Sequence, residues 1–133
     1  MTAQEAMTKF TELILQEDIP QWIELFHEDA VFEYPFAPPG FPQEVRGKAA
    51  MFEQFKDFPK VFHFDEFTDM QRHQTLDPDV LIVEFLGRGE VLTTGKAYHQ
   101  RYISVVQMKD GKIFHYRDYW NPLVVLEAMK KAE

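Results

Sequence analysis

One segment near the carboxyl terminus holds an acidic side chain among large aromatic ones. Residues 113–120 read IFHYRDYW, a composition typical of a β-strand, in which side chains alternate between the two faces. The residues predicted to share one face are Phe114, Tyr116, Asp118 and Trp120. Burial among aromatic rings raises the pKa of a carboxyl group, which suits it to general acid–base catalysis. Asp118 is therefore the first candidate catalytic residue, with an arginine-paired or helix-capping carboxylate as the structural alternative.

Tyr34 is the second candidate catalytic residue. It directly precedes Pro35 at the end of a strand predicted over residues 28–36. A phenol with an ordinary pKa near 10 is a poor base at neutral pH, but it can donate a hydrogen bond to a developing enolate oxygen. A wall residue whose hydroxyl contacts water is the alternative.

Seven further residues are candidates for substrate binding. Gln100 and Tyr102 offer polar groups on one face of a predicted strand, and His63 could shuttle a proton. Arg46 could neutralise an acidic ligand at the mouth of a pocket, since its guanidinium fork suits carboxylates. For Arg46 and His63 a solvated surface position is the alternative. The predicted substrate-binding residues are Phe32, Arg46, His63, Gln100, Tyr102, Tyr116 and Trp120.

The available residues exclude several classes of chemistry. The chain has no cysteine, which excludes disulfides, thiolate metal sites and cysteine nucleophiles. Ser104 is the only serine, and it lacks the Gly-x-Ser-x-Gly setting of a serine nucleophile. The five histidines lack the His-x-His or His-x-x-x-His spacing of a compact metal site. We therefore expect no metal and no cofactor.

The composition predicts a single globular domain over residues 1–133. Hydrophobic residues make up 45% of the chain and aromatic residues 15%, which suffices for an aromatic-lined interior. A formal net charge of −8 argues against nucleic acid as a partner. No apolar run is long enough to span a membrane, and the first residues lack the features of a secretion signal. A cytoplasmic location is expected.

The predicted elements place helices first and long strands afterwards. Thr2 and Glu5 match a capping box at the first helix, and Asp110 with Gly111 gives a strong hairpin-turn signal. Residues 37–47 form a proline-rich connection that could act as a mobile lid. Helices are predicted near Thr2 and Pro20 and over 48–58 and 123–133, and strands over 28–36, 63–76, 80–86, 96–108 and 113–120. This order predicts an α+β domain with helices on one face of an antiparallel sheet.

The chain resembles the nuclear transport factor two-like superfamily, also described as cystatin-like or ketosteroid isomerase-like. The segments HEDAVFEYPFAPPG, VRGKAAMFEQF and DGKIFHYRDYWNPL resemble SnoaL-like polyketide cyclases and the small phenazine-biosynthesis condensing proteins. The resemblance implies a cone-shaped, bent sheet wrapped around N-terminal helices, with an internal pocket. It also implies an acid–base role for Asp118. Ketosteroid isomerases carry an aspartate where this chain has Tyr34, which disfavours their usual chemistry.

The predicted pocket suits a small, apolar or aromatic, oxygenated ligand. The leading hypothesis is a cofactor-independent cyclase, isomerase or condensing enzyme that acts on an enolisable carbonyl compound. The alternatives are a binding protein without catalysis, an interaction module, and an epoxide hydrolase, whose family uses an Asp-Arg-Asp arrangement. Apolar residues on both faces of the strand over 80–86 predict that one face packs on a second subunit, giving a homodimer.

Overall fold

A computed structural model describes residues 1–131 and consists of four α-helices and one six-stranded sheet. The helices are α1 (Ala3–Leu15), α2 (Ile19–Trp22), α3 (Lys48–Phe55) and α4 (Pro122–Met129). The strands are β1 (Phe26–Glu33), β2 (Glu44–Arg46), β3 (Phe62–Gln74), β4 (Val80–Val91), β5 (Lys96–Lys109) and β6 (Lys112–Trp120). Two short 3₁₀ turns cover Ile23–Leu25 and Phe58–Lys60. The predicted α+β class is confirmed.

The sheet has the strand order β2-β1-β6-β5-β4-β3. All neighbouring strands are antiparallel except β1 and β6, which run parallel, so the expectation of a purely antiparallel sheet is wrong at this pair. The parallel pair forms because the last strand returns between β1 and β5, far along the chain from its β1 partner. This insertion puts β6, the strand that carries Asp118, inside the sheet rather than at its edge.

Helix α1 begins at the predicted capping box. The Thr2 hydroxyl oxygen accepts a hydrogen bond from the Glu5 backbone N–H at 3.1 Å, and the Glu5 carboxylate accepts one from the Thr2 N–H at 3.0 Å. These bonds satisfy two backbone donors that the first turn would otherwise leave free. The apolar side of α1, including Ala6, Met7 and Phe10, is buried against the inner face of the sheet.

Asp110 and Gly111 form the tight turn between β5 and β6, as predicted. Both have positive φ angles, 53° and 73°, which is the backbone conformation of a two-residue hairpin loop of type I′. The turn sets the pairing of the two strands at its closed end, where Lys109 faces Lys112. From there the register continues to the pair formed by Ser104 and Asp118.

A bulge in β6 changes one predicted side-chain direction. Gln107 pairs with His115 and Met108 with Ile113, so Phe114 is an extra residue in the ladder. Ile113 is consequently fully buried, while Phe114 contacts the ring of His27 with centroids 5.3 Å apart. The prediction that Phe114 shares a face with Tyr116, Asp118 and Trp120 is therefore wrong.

Several predicted boundaries also differ from the structure. The first strand ends at Glu33 rather than at residue 36, and α3 ends at Phe55 rather than at residue 58. The connection over 37–47 contains the short edge strand β2. The last helix ends at Met129, and residues 132–133 of its predicted span lie outside the described residues. No helix within residues 1–131 is both long and apolar enough to cross a membrane.

The close approach of β3 to Gly89 generates a first prediction. A Cβ atom at Gly89 would lie 1.7 Å from the His63 carbonyl oxygen, whereas one at Gly87 would meet only aromatic side-chain atoms, the nearest at 3.0 Å. We expect Gly89→Ala to lower the free energy of unfolding by at least about 2 kcal/mol, because a backbone must move. The matched Gly87→Ala variant should lose less, since rings can rotate. Equal losses in urea denaturation would contradict this.

Candidate active site

The inner face of the sheet and the helices packed on it enclose a cavity of about 250 Å³. Its wall is mostly aromatic, with side chains from α1, α2, α3 and from all strands except β2. Val125 and Met129 of α4 border it, as do Phe41 and Pro42 of the connection between β1 and β2. The polar side chains in the wall are Tyr34, Gln54, Tyr98, Tyr102, Tyr116, Asp118 and Trp120.

Asp118 is the only carboxyl group among the described residues that line this cavity. It lies on β6 between Tyr116 and Trp120, two residues that also line the cavity, and opposite Ser104 on β5. The residue is half-buried, and its side chain lines the cavity. Burial raises the pKa of Asp118 to about 8, and a hydrogen bond from the Trp120 side chain opposes the rise. The carboxyl group is therefore mostly protonated at neutral pH.

Asp118 has no cationic partner in the cavity. None of the lining residues described in the structure is an arginine, lysine or histidine, and none of the ion pairs within residues 1–131 includes Asp118. The arginine-paired carboxylate considered as an alternative is thus not what the structure contains. An Asp-Arg-Asp arrangement would need an arginine and a second aspartate, and the described wall has neither.

Four buried or half-buried tyrosines share the cavity with Asp118. Burial raises the pKa of each phenol, and the negative charge of Asp118 adds to the rise, which takes the pKa of Tyr98 to about 12. The four are Tyr34, Tyr98, Tyr102 and Tyr116. All of them are therefore neutral at physiological pH. A phenol whose hydroxyl hydrogen is not already used can donate a hydrogen bond to an oxygen atom in the cavity, but none of the four can act as a base there.

Tyr116 is held rigidly in the wall. Its ring stacks between Phe10 and Phe32, with centroid separations of 4.8 and 4.7 Å. Its hydroxyl donates a hydrogen bond of 2.7 Å to the Ser104 oxygen. The fully buried Ser104 thus has a structural role, and the Tyr116 hydroxyl is already occupied.

Tyr34 differs from Tyr116 in the freedom of its hydroxyl. It follows β1 directly, and its ring packs against Phe32 at 5.1 Å, Trp120 at 6.0 Å and Phe55 at 6.4 Å between centroids. No hydrogen bond within residues 1–131 involves its hydroxyl, although the ring lines the cavity with Asp118. Tyr34 can therefore offer its O–H to a ligand.

Six of the nine predicted site residues line the cavity, and three do not. Those in the wall are Phe32, Tyr34, Tyr102, Tyr116, Asp118 and Trp120. Gln100 is buried on the predicted face but lies beyond the wall. Its amide oxygen accepts from the Asn121 N–H at 3.0 Å, and its nitrogen donates to the Asn121 carbonyl at 3.0 Å. Gln100 therefore fastens the start of α4 to β5 instead of facing a ligand.

His63 and Arg46 lie at the surface, contrary to the expectation that they border the pocket. The two imidazole nitrogens of His63 contact carboxylate oxygens of Glu17 and Asp65, each at 3.0 Å. The Arg46 guanidinium donates to Glu44 at 2.8 Å, and its side chain is 70% exposed. Strand alternation places His63 on the opposite face, because its two neighbours in β3, Phe62 and Phe64, both line the cavity.

Part of the wall was absent from the predicted set. The missed aromatic residues are Phe10, Trp22, Phe41, Phe55, Phe58, Phe62, Phe64, Phe67, Phe85 and Tyr98. For Tyr98 a signal was available, since it shares alternation with Gln100 and Tyr102 in β5. The residues of β3 could not be assigned, because two irregularities in its pairing with β4 shift the faces along the strand.

Comparison with known proteins agrees with this geometry. Residues 7–116 match the family model described as the SnoaL-like domain. The chain belongs to the SnoaL-like family. This SnoaL-like protein is 39% identical, over all of its length and 94% of the relative, to a PhzA/B-like protein of Pseudomonas aeruginosa. The expected resemblance to SnoaL-like and phenazine-biosynthesis proteins is confirmed.

Solved structures extend the comparison of the SnoaL-like fold. A Bacillus subtilis protein described provisionally as an isomerase superposes with a TM-score of 0.92 at 47% identity, covering 95% of this chain and 91% of that one. A Pseudomonas putida protein described provisionally as a polyketide cyclase superposes with a TM-score of 0.83, covering 98% of this chain and 99% of that one. At 19% identity the second likeness shows the fold alone.

The raised pKa of Asp118 generates a prediction about stability and pH. Between the ordinary value of 3.8 and the folded value of about 8, the unfolded chain has lost the proton that the folded chain keeps. Stability of the wild type should therefore fall as pH rises through this range, by up to about 1.4 kcal/mol per pH unit. Asp118→Asn removes the ionisable group, so its stability relative to wild type should increase from pH 4 to pH 8.

The control for this comparison is Asp29→Asn, which removes an exposed carboxyl group from β1. Urea denaturation at several pH values measures all three proteins. A stability difference between Asp118→Asn and wild type that is constant from pH 4 to pH 8 would show that Asp118 is not desolvated in the folded chain.

Proposed function

We propose that this SnoaL-like protein is a cofactor-independent enzyme that moves a proton at a carbon atom next to a carbonyl group. The observation that carries the proposal is the single carboxyl group of Asp118, whose pKa lies near neutrality in an aromatic cavity. A general acid or base works best when its pKa is close to the working pH. Isomerisation, aldol-type cyclisation and condensation all require such a group.

Asp118 acts as the base in the first step and as the acid in the second. Its carboxylate takes a proton from the α-carbon, and the electron pair of that C–H bond moves to the carbonyl oxygen to form an enolate. Tyr34 donates a hydrogen bond to the enolate oxygen, because its hydroxyl is free within the described residues and stays protonated. Return of the proton to another carbon completes an isomerisation. In a cyclisation or condensation the enolate carbon attacks a second carbonyl group, and the proton held by Asp118 passes to the alkoxide oxygen that forms there.

The description of one related protein is consistent with this chemistry. The B. subtilis structure at 47% identity is described provisionally as an isomerase. Isomerisation through an enolate moves a proton next to a carbonyl group. A small-molecule binding protein that performs no chemistry is the competing function, since one fold hosts many activities.

We also propose that two copies of the chain associate through the outer face of the sheet. Val80, Ile82 and Leu86 of β4 point away from the buried Leu81 and Val83 of the same strand. Ile103 of β5 adds a side chain that is 38% exposed. A second copy would remove this apolar strip from water. Light scattering should give twice the chain mass for wild type and the monomer mass for Ile103→Glu.

Proton exchange tests the proposed function without knowledge of the natural substrate. Neutral enolisable ketones such as 2-tetralone are incubated with protein in D₂O, and NMR follows deuterium entering the α-position. Wild type should exchange faster than buffer, and the rate should rise with pH up to about 8, as Asp118 ionises. Asp118→Asn should lose roughly 10²–10⁴-fold. Tyr34→Phe should lose roughly 10²-fold, as for removal of one oxyanion donor.

Asp29→Asn serves as the surface control and should exchange at the wild-type rate. Unchanged exchange in Asp118→Asn would reject the assignment of the base. Recovery of undeuterated ketone after it has bound to wild type would favour the binding-protein alternative.

A further inference from the structure

The charge of the cavity wall limits what can bind there. We infer that the cavity takes uncharged, planar, oxygenated molecules and rejects carboxylates and phosphates. This selectivity concerns the ligand class of the same site, and its mechanistic part rests on the proposed function. Two observations and one chemical argument support it. The described wall contains no cationic side chain, the nearby cations do not line the cavity, and the proposed reaction places one negative charge in the site.

The described wall offers an anion no countercharge. Its ionisable side chains are Asp118 and the four tyrosines, and none of them can become positive. An anion that moves from water into such a site loses its hydration free energy, and no ion pair compensates for the loss. The net charge of −8 on the whole chain adds a further repulsion at long range.

Arg101 and Arg117 are next to wall residues in β5 and β6, but strand alternation puts them on the opposite face of the sheet, and neither lines the cavity. Two further cations near the wall contact other partners. On α3, Gln54 and Phe55 line the cavity, but the next residue, Lys56, contacts Glu53 at 2.7 Å. On β3, Arg72 donates hydrogen bonds to Gln4 and Thr8 of α1, at 2.8 Å for the shortest contact with each. Neither side chain lines the cavity. A wall built to hold an acid would direct such a group inward.

The reaction itself favours an uncharged substrate. Before proton transfer the site carries one negative charge on the Asp118 carboxylate, and afterwards it carries one on the enolate oxygen. The negative charge moves from the carboxylate oxygen to the enolate oxygen, where a phenol can donate a hydrogen bond to it. The total charge of the site does not change. An anionic substrate would raise the total to two negative charges in a cavity that has no cation among residues 1–131. A wall whose described residues include no cation therefore suits enolate chemistry on neutral ketones and not on anionic ones.

Two ligands that differ in charge but share one ring system test the inference. They are 2-naphthalenemethanol, which is neutral, and 2-naphthoate, an anion at pH 7. Calorimetry in 0.2 M salt suppresses the long-range effect of net charge. The alcohol should bind to wild type at least tenfold more tightly than naphthoate. Tighter binding of naphthoate, or no binding of the alcohol, would overturn the inference.

A gain-of-function variant makes the test independent of folding defects. Gln54 lines the cavity and is exposed, so it lies at the opening to solvent. Gln54→Arg should raise the affinity for naphthoate at least tenfold and leave that for the alcohol within threefold. Gln16→Arg adds the same charge at an exposed position just after α1, outside the wall, and should change neither affinity. Equal gains in both variants would mean that net charge, and not the wall, selects the ligand.

Failure of this inference can be told apart from failure of the proposed function. A protein that selects the alcohol but exchanges no α-proton keeps the ligand class and loses the catalytic role. A protein that exchanges protons through Asp118 but prefers naphthoate keeps the catalytic role and loses the ligand class.

Discussion

The burial of one carboxyl group without a cation is the constraint on which the site depends. A carboxylate in an aromatic cavity loses hydration, and in this chain no lining arginine, lysine or histidine among residues 1–131 replaces it. The group responds by keeping its proton until the pH approaches about 8. Burial also raises the pKa of the surrounding phenols and keeps them neutral. The raised pKa of Asp118 and the proposed exclusion of anions thus have the same cause, a buried carboxyl group in a wall whose described residues include no cation.

The scaffold serves to hold that arrangement in place. Strand β6 lies between β1 and β5. Its pairing with β5 includes Asp118, and its pairing with β1 extends as far as Arg117, the residue before it. Stacking on Phe10 and Phe32 immobilises Tyr116, and the bond from its hydroxyl to Ser104 satisfies the buried polar group. Gln100 ties the start of α4 to β5, which keeps the last helix over the cavity. Preorganised polar groups in a dry site are what enolate chemistry needs.

Local signals in the sequence predicted the features that depend on local chemistry. The capping box at Thr2 and the turn at Asp110 were predictable because a few neighbouring residues determine each of them. Alternation placed Asp118 in the wall because the chain is regular from Tyr116 to Trp120. It failed at Phe114, since a bulge shifts the faces and leaves no mark in the sequence. The parallel pairing of β1 with β6 depends on residues about 85 positions apart, beyond the reach of local patterns.

A pH titration of the Asp118 carboxyl group is the decisive measurement. Carbon-labelled aspartate allows each carboxyl resonance to be followed by NMR from pH 3 to pH 10, and the Asp118→Asn variant assigns the signal. The expected midpoint is near 8. A midpoint at or below the ordinary value of 3.8 would mean that the carboxylate is solvated or paired with a cation, which would contradict both the acid–base role and the electrostatic basis of ligand selection.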